Sequence, residues 1–231
     1  LVGVKKDTNV LLPTLSFVAT ANSIIYNNAI PIFMDSSENT FCLDELKLEN
    51  YFIYNTYLSK GKRYSKHNKK IISAIIVTHV FGSASDMTKI LKISKKYSVP
   101  VVEDCAEGLG SFFKDKHLGT FGNVGILSFN GNKIITSGSG GAIITNSKKK
   151  YLEALHLVSV SKIKHKWKFY HNKLGWNYRI NSLSAALGYS QLKKINLLIK
   201  NKRLLHRKYK KKFDKNKNFH LVNLDDRINF K

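Results

Sequence analysis

Ile71-Ile-Ser-Ala-Ile-Ile-Val-Thr-His-Val80 is a nearly unbroken run of β-branched and aliphatic residues. Such a run suits a strand buried on both faces, which places it at the centre of a parallel sheet. The segment after it changes period. Ser83-Ala-Ser-Asp86 supplies helix-capping side chains, and Met87, Ile90, Leu91 and Ile93 follow at helical spacing, predicting a helix over residues 85–97. Pro100-Val-Val-Glu-Asp104 then reads as a second strand ending on two carboxylates. Strand, helix and strand in this order predict a crossover between parallel strands in an α/β fold with a mainly parallel sheet.

Working outward, Val10 to Leu12 before Pro13 and Ile30 to Met34 read as strands, joined by a helix from Phe17 to Tyr26 that stops at Asn27 and Asn28. A helix from Asp44 to about Phe52 precedes a polar stretch. Downstream, the glycine-rich segment Gly108 to Gly125 predicts a turn and hairpin, and Gly125 to Phe129 and Gly141 to Thr145 two short strands. From Ser182 the apolar positions Leu183, Ala186, Leu187, Tyr189, Leu192, Ile195, Leu198 and Ile199 predict one long amphipathic helix running toward Leu205 and on to Phe213. No internal repeat is visible.

The 231 residues include 43% hydrophobic side chains, enough for a core and too many for a disordered chain. Thirty-nine basic residues against 15 acidic ones leave a formal charge of +24. Lysines occur on nearly every predicted surface, as in Lys66 to Lys70, Lys148 to Lys150 and Lys208 to Lys212, so the expectation is a solvated basic surface and no nucleic-acid partner. No segment has the roughly 20 apolar residues of a membrane span, and the start lacks a signal-peptide pattern; the expected location is cytoplasmic, with no membrane partner. Cys42 and Cys105 are too few for a disulfide framework or a zinc site, and are expected to be reduced and buried, with no metal bound. The chain opens on Leu1 with structure within about ten residues, which reads as a piece of a longer protein.

Chemistry-bearing residues concentrate in Glu103-Asp-Cys-Ala-Glu107, Ser128-Phe-Asn-Gly-Asn-Lys133 and Gly175-Trp-Asn-Tyr-Arg179. Each has an ordinary reading: a helix-capping Asp, a solvated lysine in a turn, a polar helix end. Their common placement after strands points instead to the carboxyl edge of the sheet, where α/β folds bind ligands.

The run from Pro100 to Asn146 resembles the sugar aminotransferases of the DegT/DnrJ/EryC1/StrS group, fold-type I pyridoxal phosphate enzymes. The resemblance extends through Leu12-Pro-Thr-Leu-Ser-Phe-Val-Ala-Thr-Ala-Asn22, Thr78-His-Val-Phe-Gly82 and the segment Gly175 to Gly188. It implies a three-layer α/β/α, aspartate aminotransferase-like large domain over residues 1–190 with its N-terminal part absent. Residues 191–231 would form a long helix leading to a truncated C-terminal small domain, largely missing. Ser128 to Lys133 and His165 to His171 look most like the subgroup acting on UDP-4-keto-6-deoxy-N-acetylhexosamines in legionaminic acid or bacillosamine pathways. A GDP-linked, perosamine-type substrate and an inactive truncated or regulatory relative are the alternatives.

The resemblance also implies roles. Lys133 matches the lysine that carries pyridoxal 5'-phosphate and moves the proton, and Asp104 the carboxylate paired with the pyridine nitrogen. Phe17 would stack on one face of the ring and Ala106 pack on the other. Glu107 stands where Gln is frequent, so its carboxylate requires a proton or a neighbouring cation. Ser128 would bond the cofactor phosphate, and Asn177 would reach it from a neighbouring subunit, implying a homodimer with shared active sites. Lys166, Tyr178 and Arg179 are candidate substrate contacts. His79, near the sheet's carboxyl edge, is a further candidate substrate contact, although a packed, hydrogen-bonded histidine is the favoured reading. The implied reaction transfers the amino group of L-glutamate to a nucleotide-linked keto sugar, giving a 4-amino sugar for surface polysaccharide or glycan synthesis.

Overall fold

The computed structural model describes residues 1–213, 216, 221 and 228–230. The aliphatic run forms β5 (Ile72–Thr78), flanked by β1 (Asn9–Pro13) and β6 (Val101–Asp104). β2 (Ile30–Met34), β9 (Val124–Ser128) and β10 (Gly141–Ile144) complete a six-stranded sheet of order β10-β9-β6-β5-β1-β2. All neighbours are parallel except β9 and β10.

Alternation along the strands builds the two faces. Val10, Leu12, Ala74 and Ile76 pack with Ile24 of α1 (Val18–Ile25) on one side. Leu11, Ile75 and Val77 face the other side, with Leu48 and Phe52 of α2 (Glu45–Asn55) and Met87, Ile90 and Ile93 of α3 (Met87–Tyr97). The α/β/α layering implied by the sequence is the layering found. α2 and α3 start on Asp44 and Asp86, each accepting two backbone N–H bonds in the first turn. They meet through the stacked rings of Phe52 and Tyr97, 4.5 Å apart.

Three elements differ from the sequence expectation. The polar stretch after α2 contains a hairpin of β3 (Thr56–Ser59) and β4 (Lys62–Ser65), where Tyr57 and Tyr64 stack across the strands. α4 (Lys148–Val158) grows out of a lysine run because Ser147 accepts the Lys150 N–H and starts it. The long helix from Ser182 is two helices, α5 (Ser182–Leu192) and α6 (Ile195–Phe213). The apolar spacing runs through the junction, but the carbonyls of Tyr189 and Gln191 are taken by the N–H groups of Lys193 and Lys194 in a turn that ends α5. What was expected of residues 214–215, 217–220, 222–227 and 231 lies outside the described residues.

The glycine-rich segment gives the expected hairpin, β7 (Ser111–Phe113) with β8 (Lys116–His117). Cys42 and Cys105 are free and buried. Burial pushes the Cys42 thiol up to about 11. It pushes Cys105 further still, helped by the charges of Glu103 and Asp104, so neither is a reactive thiolate at neutral pH. Among the described residues no helix is long and apolar enough to cross a membrane.

Candidate active site

The carboxyl ends of β5, β6 and β9, with the start of α1, enclose an open cavity of about 870 Å³. Thr78, Asp104 and Ile126 stand in register on the three strands, and the alternation that aims Ile76 and Val102 at α1 aims these residues into the cavity. One residue earlier, Glu103 points the opposite way and is fully buried.

Asp104 is held at both oxygens. Oδ2 accepts from the Thr20 hydroxyl at 2.6 Å and Oδ1 from the Ala106 N–H at 3.1 Å. Glu103 fixes the wall behind it: Oε1 accepts from the N–H groups of Phe121 and Gly122 at 2.7 and 2.6 Å, and Oε2 from Gly119 N–H at 2.8 Å. Oε2 also lies 3.1 Å from Nε2 of His79. Burial by itself raises a carboxyl pKa, yet the His79 bond and charge and the Gly122 and Gly119 N–H groups outweigh it and hold Glu103 below the ordinary carboxylate range. His79, read from the sequence as packed and hydrogen-bonded, is 1% exposed, and its backbone N–H bonds the Asp104 carbonyl.

Lys133 rises from the turn after β9, where its N–H bonds the Asn130 carbonyl. Its amine enters the cavity and lies 3.6 Å from Oε1 of Glu107, so the carboxylate standing where Gln is frequent has a cation beside it. Oε2 of Glu107 accepts the Phe81 N–H at 2.7 Å. Phe81 is left-handed at φ 56°, a strained backbone for an aromatic residue, and this bond helps hold it there. The loop bearing Lys133 is tied down by α5, whose Gln191 side chain accepts the Thr136 N–H at 3.1 Å.

Phe17, Asp104, Ala106, Glu107, Ser128 and Lys133 therefore share one cavity; His79 also borders it, but its ring is wholly buried against Glu103 and so is not a substrate contact. Lys166, Asn177, Tyr178 and Arg179 do not line it. They are exposed on the segment that runs past the end of α4, where the N–H of Tyr178 bonds the Val158 carbonyl and the Lys166 amine lies 5.1 Å from the centre of the Trp167 ring. Thr20, Thr78, Phe81 and Gln191 were not singled out by sequence. Only the left-handed Phe81-Gly82 pair carried a local signal, a glycine after an aromatic at a strand end. The others acquire meaning once α1 lies over β6 and α5 over the lysine loop.

The DegT/DnrJ/EryC1/StrS aminotransferase family matches residues 1–229. The chain belongs to this family. GDP-perosamine synthase of Escherichia coli O157:H7 is 35% identical over 209 residues, which is 90% of this chain and 53% of that protein. UDP-4-amino-4,6-dideoxy-N-acetyl-beta-L-altrosamine transaminase of Campylobacter jejuni is 32% identical over 222 residues, 96% of this chain and 55% of that protein. A DegT DnrJ EryC1 StrS aminotransferase from Brucella abortus shares the fold, with a TM-score of 0.87 at 22% identity, over 98% of this chain and 58% of that one. The chain spans about half the length of the curated relatives it matches.

DegT-family aminotransferases depend on pyridoxal phosphate. The cavity fits that group in its donor set, an amine and a carboxylate after neighbouring strands of the sheet with an aromatic ring at the rim. It fits also in the Thr78 hydroxyl, which is buried at the cavity wall without a hydrogen-bond partner among the described residues.

Proposed function

We propose that this chain forms the cofactor-binding part of a pyridoxal phosphate-dependent aminotransferase that moves the amino group of L-glutamate to the keto carbon of a nucleotide-linked 4-keto-6-deoxy sugar. The observation that carries the reading is the presence of the Lys133 amine and the Asp104 carboxylate in one cavity at the carboxyl edge of a family-typical sheet.

When bound, pyridoxal phosphate supplies an electron-withdrawing ring that holds the migrating amino group. Lys133 would hold the cofactor through its amine, which is also the group placed to hold and move a proton within the cavity. Asp104 keeps the ring nitrogen protonated by accepting its N–H. Phe17 and Ala106 bracket the ring, the small alanine leaving room on its side, and Ser128 donates to the phosphate. Glu107 stays beside Lys133 as its counter-charge. Lys166, Asn177, Tyr178 and Arg179, remote from the cavity of their own chain, serve that of a second copy, with Asn177 at the cofactor phosphate. The exposed aromatic side chains of Trp167, Phe169 and Tyr178 support such a dimer. Residues 1–190 form the cofactor-binding domain in this reading, and 191–231 lead toward a second one.

The substrate we assign is UDP-linked and N-acetylated, supported by the Campylobacter relative and by Ser128 to Lys133. A GDP-linked sugar is the second reading, favoured by the relative from Escherichia coli. The test is a visible absorbance band on adding pyridoxal phosphate, trapped by borohydride on Lys133 and absent from Lys133→Ala. A band that survives that substitution sinks the proposal. A panel of UDP- and GDP-linked keto sugars with glutamate then separates the two substrates.

A further inference from the structure

We infer that Thr20 is a positioning residue for Asp104: its hydroxyl sets the carboxylate so that a free acceptor site faces the ring N–H of the bound group. The inference rests on the reading of the cavity as a pyridoxal phosphate site.

Thr20 is the third residue of α1, where a threonine hydroxyl ordinarily bonds back to a carbonyl three or four residues earlier. Here Phe17 is the cap residue and makes no side-chain cap bond, and the Thr20 hydroxyl leaves the helix for Oδ2 of Asp104. The 2.6 Å separation is that of a charge-assisted O–H to carboxylate bond, linking residues 84 apart in sequence. Thr20 is 6% exposed, so water competes poorly for the bond.

A carboxylate turns easily about its last torsion, whose rotamer distribution is broad. Asp104 is pinned at both ends, Oδ2 by Thr20 from the helix layer and Oδ1 by the Ala106 N–H from its own strand end. Each carboxylate oxygen accepts two bonds, so one site on each remains, and Asp104 lines the cavity. Thr20 is stiff at χ1 because it is β-branched, which makes it a fixed post and not a second mobile group. The pair thus forms a preset acceptor for one donor, a ring N–H. A ring without that N–H gains nothing from it.

That selectivity is the test. Dissociation constants of pyridoxal 5'-phosphate and of its 1-deaza analogue, whose ring carries C–H in place of the nitrogen, are measured by equilibrium dialysis on the full chain and on Thr20→Val, Thr20→Ala and Thr20→Ser. Valine keeps the volume and removes the hydroxyl; alanine does so without β-branching and favours the helix, so one hydroxyl-free variant remains if valine fails to fold. The expected result is a loss on the order of tenfold for pyridoxal phosphate in Val and Ala, the scale of a bond to a charged group. The deaza analogue should change by less than about twofold, and Ser should stay near the parent with both probes. Equal loss on both probes shows a merely structural role and overturns the inference, as does no loss for pyridoxal phosphate. Failure of the unaltered chain to bind either probe overturns instead the cofactor reading beneath it.

Discussion

Thr78 is a buried threonine whose hydroxyl has no partner among the described residues, standing in register with Asp104 on the next strand. An unsatisfied buried hydroxyl costs about 1–3 kcal/mol, and valine has nearly its shape. Thr78→Val is therefore expected to stabilise the free chain by about 1 kcal/mol in urea denaturation, and to lose part of that gain in saturating pyridoxal phosphate if the hydroxyl serves the cavity. A destabilised free variant would show that the hydroxyl is already satisfied. At this scale the sequence was legible where a residue's own neighbours state its setting: Asp104 closes an apolar strand and Lys133 sits in a Gly/Asn turn. It placed Thr20 and Thr78 in motif stretches but gave them no role of their own, because those roles depend on which strand a helix covers; it was silent on Gln191, whose partner lies 55 residues away.

Glu103 shows how elements are joined around the site. One buried carboxylate binds the end of β5 through His79 and the turn entering β9 through Gly119, Phe121 and Gly122. An amide in its place accepts on one atom only and turns donors against donors on the other. Glu103→Gln is expected to lose about 3 kcal/mol near neutral pH. Because the folded-state pKa lies below the ordinary value, the contribution is present above the carboxylate range and disappears as pH falls through the lowered one. Denaturation midpoints measured from neutral pH into acid should therefore fall more steeply for the parent chain than for Glu103→Gln, the two curves converging at low pH. Parallel curves would mean that Glu103 is not ionised in the folded chain. The elements themselves were largely readable, since β5, α3 and β6 announce themselves by a change of period. The β3–β4 hairpin and the break between α5 and α6 were not: the first lies in a polar stretch without alternation, and the second leaves the apolar spacing intact.

Across the whole chain the charge is less even than its lysine runs imply. No acidic residue occurs between Glu153 and Asp214, whereas Lys and Arg recur on both sides of the uncharged stretch 180–192. The same stretch carries the exposed side chains of Trp167, Phe169, Leu174, Tyr178 and Leu183, the last at 86% exposure. If two copies meet through this face about a two-fold axis, like meets like, apolar on apolar and basic on basic. Burial of the aromatic side chains drives that contact and charge repulsion opposes it. Salt removes the opposing term, since the screening length falls from about 30 Å at 0.01 M to about 8 Å at 0.15 M ionic strength. Sedimentation equilibrium across that range should show self-association strengthening with salt, and Trp167→Ala should weaken it at every salt concentration. Association that weakens as salt rises would mean that the basic stretch docks on carboxylates of the second copy, and the shared-site geometry assigned to Asn177 would have to be abandoned.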